Sequence, residues 1–161
     1  MKPQRSSTRL LIIALLSLGA VAAALVSQHV YDMRPCPWCV LQRLIFVVLA
    51  LAALLGLAWR SRTGLRLCTG AVLILALCGA AAALWQHFVA AASASCKLTL
   101  ADQIVGATGL DRALPQVFAA YASCADAKVN LFGVPYEFWS LALFIALAVA
   151  VAVARPYRSG R

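Results

Sequence analysis

Charge is what this sequence has little of. Of its 161 residues only 12% are charged, about half the roughly 25% of an ordinary soluble protein. Acids are scarcest, with five Asp and Glu against fourteen Lys and Arg. A chain so poor in charge, and 64% apolar, is not disordered, because disordered chains are rich in charge and poor in apolar residues. Nor can a soluble body this small hide so much apolar surface, since too large a share of a small domain faces water. Segments that alternate apolar with polar residues are missing, which argues against a transmembrane barrel. Low-complexity tracts are missing too. What is left is an all-α integral membrane protein, a single membrane domain over residues 1–161.

The few charges divide the chain. Residues 10–31, 44–59, 67–96 and 138–154 carry none, stretches of 22, 16, 30 and 17 residues. A spanning helix needs about 20 mostly apolar residues. The expectation is a four-transmembrane-helix bundle with spans at about 10–28, 39–59, 67–87 and 136–154. The second gap is short because Arg43 stands near its start, where a long basic side chain can snorkel. Lys2, Arg5 and Arg9 before the first span also fit a signal peptide. Its apolar run of about 17 residues is longer than the usual 7–15 of a signal core, so a retained helix is expected.

Alternating four spans puts Lys2, Arg5, Arg9, Arg60, Arg62, Arg66, Arg155, Arg158 and Arg161 on one side with no acid. The other side carries five bases against five acids, so the whole net charge of +9 falls on one face. Under the positive-inside rule that face is cytoplasmic, with both termini. These bases flank spans and accompany no recognition motif, so no nucleic-acid partner is implied. The outer side then holds a loop at 29–38 and a long second loop at 88–135. Within the long loop, Leu98, Leu100, Ile104 and Val105 form one apolar group. Leu110, Leu114, Val117 and Phe118 form another at near-helical spacing. Such a segment either lies on the membrane surface or packs its apolar residues on the bundle.

Six cysteines carry the chemistry. Cys36 and Cys39 form Cys36-Pro37-Trp38-Cys39 at the entry to the second span; Cys96 and Cys124 lie in the long outer loop. Cys68 and Cys78, within the third span, read as small buried apolar residues. Disulfides persist outside the bacterial cytoplasm, so the four outer cysteines suit redox exchange or structural staples. Four thiolates also suit zinc, but the second pair is separated by 27 residues, unlike a compact zinc knuckle, and no metal is expected. A Cys-x-x-Cys at a helix N-terminus favours a thiolate, here Cys39, and thereby thiol–disulfide exchange. Arg43 follows four residues later on the same helix face, where it either serves Cys39 and a polar head group or anchors the helix at the interface. Gln42 beside it, and Gln86 and His87 at the outer end of the third span, bring hydrogen-bonding groups to the same depth.

Gln28-His29 followed by Pro35-Cys36-Pro37-Trp38-Cys39-Val40-Leu41-Gln42-Arg43 resembles the first outer loop and second-helix start of the DsbB disulfide bond formation proteins. The likeness runs on through Trp85-Gln86-His87, Pro115-Gln116-Val117-Phe118, Cys124-Ala125 and Leu131-Phe132-Gly133. It implies an enzyme of the bacterial inner membrane, a quinone-dependent protein-disulfide oxidoreductase. Such an enzyme reoxidises a DsbA-like periplasmic thiol oxidase and passes the electrons to ubiquinone or menaquinone. By position, Cys96 is the sulfur attacked by the partner and Cys124 its mate in the resting bond. Cys36 and Cys39 form the second pair, with Cys39 facing the quinone. Arg43 and His87 match residues beside the quinone, with Gln42 and Gln86 as further candidates. Gln42 stands where some members carry an acid, and the cysteines of the third span are extra. Two other readings stay open: a quinone-linked four-helix reductase running the opposite way, and a non-enzymatic membrane scaffold held by zinc or stapled loops.

Overall fold

The computed structural model describes residues 3–59, 61–92 and 99–153. Cys96 therefore lies outside the described residues, as do the basic residues Lys2, Arg60, Arg155, Arg158 and Arg161. Three helices are long and apolar enough to cross a membrane: the stretch Ser7–Val30 of α1 (Pro3–Val30), α2 (Pro37–Ala58), and α3 (Arg62–Phe88) with the turn that continues it to Ala92. The last long helix, α7 (Tyr136–Ala152), has 17 residues. It rises about 26 Å, slightly less than the roughly 30 Å of a bilayer core.

These four helices pack in chain order, α2 on α1, α3 on α2 and α7 on α3, while α7 meets α1 only slightly. Each contact has a sequence cause. On α1 the buried residues Leu10, Ile13, Ala14 and Ser17 recur at helical spacing and form one stripe. On α3 the buried stripe is mostly small, including Gly64, Cys68, Ala76, Gly79 and Ala83. Small residues let helices approach closely where lipid offers no hydrophobic driving force. A Cβ at Gly79 would overlap the Phe144 ring; without one, Phe144 of α7 reaches across to stack on Phe46 of α2, centroids 4.1 Å apart. Cys68 is buried against α2 at Gly56, as expected, but Cys78 is exposed. Ten residues turn a helix by about 1,000°, which brings Cys78 up on a different face.

The long outer segment folds into short pieces: α4 (Leu100–Thr108), α5 (Leu110–Ala113) and α6 (Pro115–Phe118). Thr99 and Asp102 form a reciprocal capping box at the start of α4, and Gly109, at φ 69°, ends it and turns the chain into α5. A two-residue hairpin, β1 (Asn130–Leu131) and β2 (Val134–Pro135), leads into α7. Of the two dispositions expected for this segment, packing on the bundle accounts for its buried side. Val105 and Phe118 are buried with Trp38, Val40 and Leu41 of α2, and Leu110 and Val117 pack against that cluster. Leu100, Ile104 and Leu114 stay exposed, since so short a helix buries one face only.

Candidate functional site

The site is built on the N-terminus of α2. Pro37 occupies the first helical turn, where its missing N–H costs nothing. Cys36 is the N-cap, its sulfur accepting from the Cys39 N–H at 3.3 Å. The Cys36 and Cys39 sulfurs are 2.9 Å apart. Cys124 reaches the same helix end from the outer segment. The Tyr121 and Ala122 N–H groups both donate to the Pro35 carbonyl, at 2.9 and 3.3 Å. Cys124 is thereby buried in one cluster with Cys36 and Trp38.

Cys36 is thus the middle sulfur of three. The neighbouring Cys124 and Cys39 sulfurs, with full burial, hold its proton well above the ordinary thiol range. Its interaction with Cys36 holds the Cys124 thiol below the ordinary range. In the reduced site Cys36 keeps its proton. Cys36, Cys39 and Cys124 are brought together at the N-terminal end of α2. Among the described residues no group of three metal-ligating side chains is placed to hold an ion, and Cys96 lies outside them.

A polar row runs inward from Cys39. Gln86 of α3 donates to the Cys39 sulfur at 3.2 Å and accepts from Gln42 at 2.7 Å. Both glutamines are buried, so each needs partners of this kind. Arg43, only 4% exposed, does not snorkel outward. Its Nη1 donates to Gln28 Oε1 at 2.9 Å and to the Val117 carbonyl. Gln28 in turn donates to the Gln116 carbonyl at 3.0 Å, and His29 is 3.3 Å from the same oxygen. The guanidinium therefore ties the ends of α1 and α2 to α6.

Between α1 and α7, where contact is slight, lies a cavity of about 330 Å³. The small residues Ala20, Ala23 and Ala24 of α1 leave this room. Cys39, Gln42, Arg43, Gln86, Tyr136 and Glu137 sit along its wall, with Phe46 and Leu143 supplying apolar surface. His87 is not part of that wall; its Nδ1 is 2.7 Å from Glu137 Oε1. Sequence reasoning passed over Gln28 as a partner of Arg43, and Glu137, which it counted only as an outer-side acid. An acid in the first turn of an apolar helix was the available signal, because ionisable groups at membrane depth are functional candidates.

The chain is similar to one family of known proteins over nearly its whole length. The family model described as Disulfide bond formation protein DsbB matches residues 6–154. Proteins named Disulfide bond formation protein B match almost end to end. That of Burkholderia pseudomallei is 30% identical over 159 residues, 98% of this chain and 94% of its own. That of Aromatoleum aromaticum is 34% identical over 149 residues, 89% of each chain. That of Ralstonia nicotianae is 35% identical over 152 residues, 94% of each chain. With apolar helices long enough to span a bilayer, and three cysteines gathered at the end of one of them, this chain belongs to the DsbB family of membrane disulfide bond formation proteins.

Proposed function

We propose that this protein is a multi-pass enzyme of the bacterial inner membrane that reoxidises a DsbA-like periplasmic dithiol oxidase and passes the electrons through two cysteine pairs to a membrane quinone. The observation that carries this reading is the position of Cys36, 2.9 Å from the Cys39 sulfur and buried in one cluster with Cys124, with Cys39 opening onto the cavity. The partner's thiolate attacks Cys96 of a Cys96–Cys124 disulfide and frees Cys124. Cys124 then attacks Cys36 of the Cys36–Cys39 disulfide, so exchange moves the electrons toward Cys39. DsbA, at about −120 mV, is too oxidising to be regenerated by an ordinary structural disulfide below roughly −300 mV. A stronger final acceptor is needed, which also disfavours the reductive direction.

The cavity suits a quinone head. Its volume lies in the range of about 300–1,000 Å³ usual for small-ligand pockets. Its wall is largely apolar, with polar groups gathered near Cys39, and the Nε of buried Arg43 has no hydrogen-bond partner among the described residues, leaving a donor for a ligand oxygen. Arg43, Gln42 and Gln86 would hold the head group against Cys39, with His87 acting on it through Glu137. A bound quinone supplies an acceptor for two electrons and two protons. Anaerobic mixing of reduced DsbA-like partner with the purified protein is expected to bleach quinone absorbance in step with the partner's loss of thiols. Unchanged absorbance together with one zinc per chain would favour the scaffold reading instead.

This reading places four spans in the membrane, both termini in the cytoplasm and the redox cysteines in the periplasm, from the nine bases that share one side. Ser61 and Ser123 are both exposed. In intact spheroplasts a membrane-impermeant thiol reagent is expected to label Ser123→Cys and spare Ser61→Cys. The reverse pattern would invert the orientation.

A further inference from the structure

Glu137 is the acidic residue among those lining the cavity. It is 8% exposed and sits in the first turn of α7. Behind it, away from the cavity, stands His87, its Nδ1 2.7 Å from Glu137 Oε1 and its side chain 32% exposed. Phe88 and Phe138 flank the imidazole, at 4.9 and 4.6 Å between centroids. A carboxyl on the cavity wall, backed by a half-exposed imidazole at the outer end of α3, is the arrangement that a two-step proton path into the cavity needs.

We propose that Glu137 delivers a proton to the acceptor oxygen in this cavity and is reprotonated from the periplasm through His87, an inference that rests on the quinone-linked reading above. The proton count calls for such a group. With Cys39 as thiolate, the dithiol holds one proton, on Cys36. Forming the Cys36–Cys39 bond releases two electrons and that proton, whereas converting a quinone to a quinol takes two electrons and two protons. Glu137 supplies the second proton and is left as carboxylate. His87 then takes a proton from water and returns it to Glu137.

Electrostatics times the transfer. A Cys39 thiolate and a Glu137 carboxylate repel one another, and that repulsion disappears once Cys39 is in a neutral disulfide. Arg43 of α2 and Arg34 before that helix add positive charge along the same wall. Tyr136 turns its hydroxyl to Ser27 of α1, donating at 3.4 Å. A purely structural Glu137, complementing the α7 dipole, would affect stability alone.

The test uses the full chain in detergent with a short-tailed ubiquinone, measuring quinone affinity, the single-turnover rate of the pre-reduced protein, and the infrared difference between reduced and oxidised states. Glu137→Gln is expected to bind the quinone within about twofold of wild type and to reduce it roughly 100-fold more slowly, the usual scale for losing a general acid. The protonated-carboxyl band should vanish from its difference spectrum, and Glu137→Asp should restore the band with part of the rate. His87→Phe should keep the first turnover fast and slow those that follow. A wild-type rate in Glu137→Gln, or a loss explained wholly by weaker binding, overturns the proton path while leaving the quinone-linked function standing. Failure of the wild-type protein to bind or reduce the quinone overturns both.

Discussion

A Cys36→Ser protein is expected to fold normally and yet show no turnover. Cys36 caps α2 by accepting from the Cys39 N–H, and serine is among the best N-cap residues. The local structure survives this substitution, and only the sulfur is removed. That sulfur lies between Cys39 and Cys124, so no other described cysteine joins the two halves of the proposed route. Attack by the partner at Cys96 needs only the Cys96–Cys124 bond, and a mixed disulfide should still form and then persist. Partner oxidation and quinone reduction are the quantities to follow, with thermal unfolding as the check on folding. Quinone reduction by the Cys36→Ser protein would show that electrons reach the cavity without this sulfur, and the route would have to be redrawn.

The second large effect is expected at Arg43. Its Nη1 bonds join Gln28 of α1 and the Val117 carbonyl of α6 to α2, inside a site where the guanidinium is 4% exposed. Hydrogen bonds to charged groups contribute about 1.5–3 kcal/mol each, and a buried acceptor left without its donor adds a desolvation cost. Arg43→Ala should therefore release residues 115–118 from the bundle, raising their amide hydrogen exchange at least roughly tenfold. It should also raise the KM for quinone far more than that for the partner, which docks at Cys96 on the proposed route. Lysine keeps the charge but not the planar fork, so Arg43→Lys should retain one of the two contacts and fall between wild type and alanine. An interfacial anchor would lower membrane yield and leave both KM values and the exchange of 115–118 unchanged.

These expectations give Arg43 a wider role than its spacing implied. Its place four residues from Cys39 suits either service to that sulfur and a polar head group or an anchor at the interface. In the structure Gln86 makes the hydrogen bond to Cys39, and Arg43 holds α6, six residues before Cys124. The guanidinium thereby fixes both the cavity wall and the segment that delivers the third sulfur.

Much of this protein was legible in the chain itself. Scarce charge and long apolar runs dictate membrane helices, because a bilayer core tolerates neither charge nor unpaired backbone. The second run is closed by Arg60, and α2 ends two residues before it, at Ala58. Cys36-Pro37-Trp38-Cys39 is a local motif, and its placement on a helix N-terminus follows from Pro37 and the apolar run behind it. What the sequence left undecided depends on contacts between distant elements. Whether the outer segment lies on lipid or on the bundle turns on which face of α4 and α6 meets Trp38 and Leu41. Cys124 meets Cys36 because two N–H groups of the outer segment share the Pro35 carbonyl, and no spacing rule encodes a backbone bond across 86 residues. Glu137 becomes part of the cavity wall only because α7 packs on α3 and leaves α1. Helices and their charges are local properties of the chain; the convergence of three sulfurs, a clamped arginine and a buried carboxyl is a property of how those helices are packed.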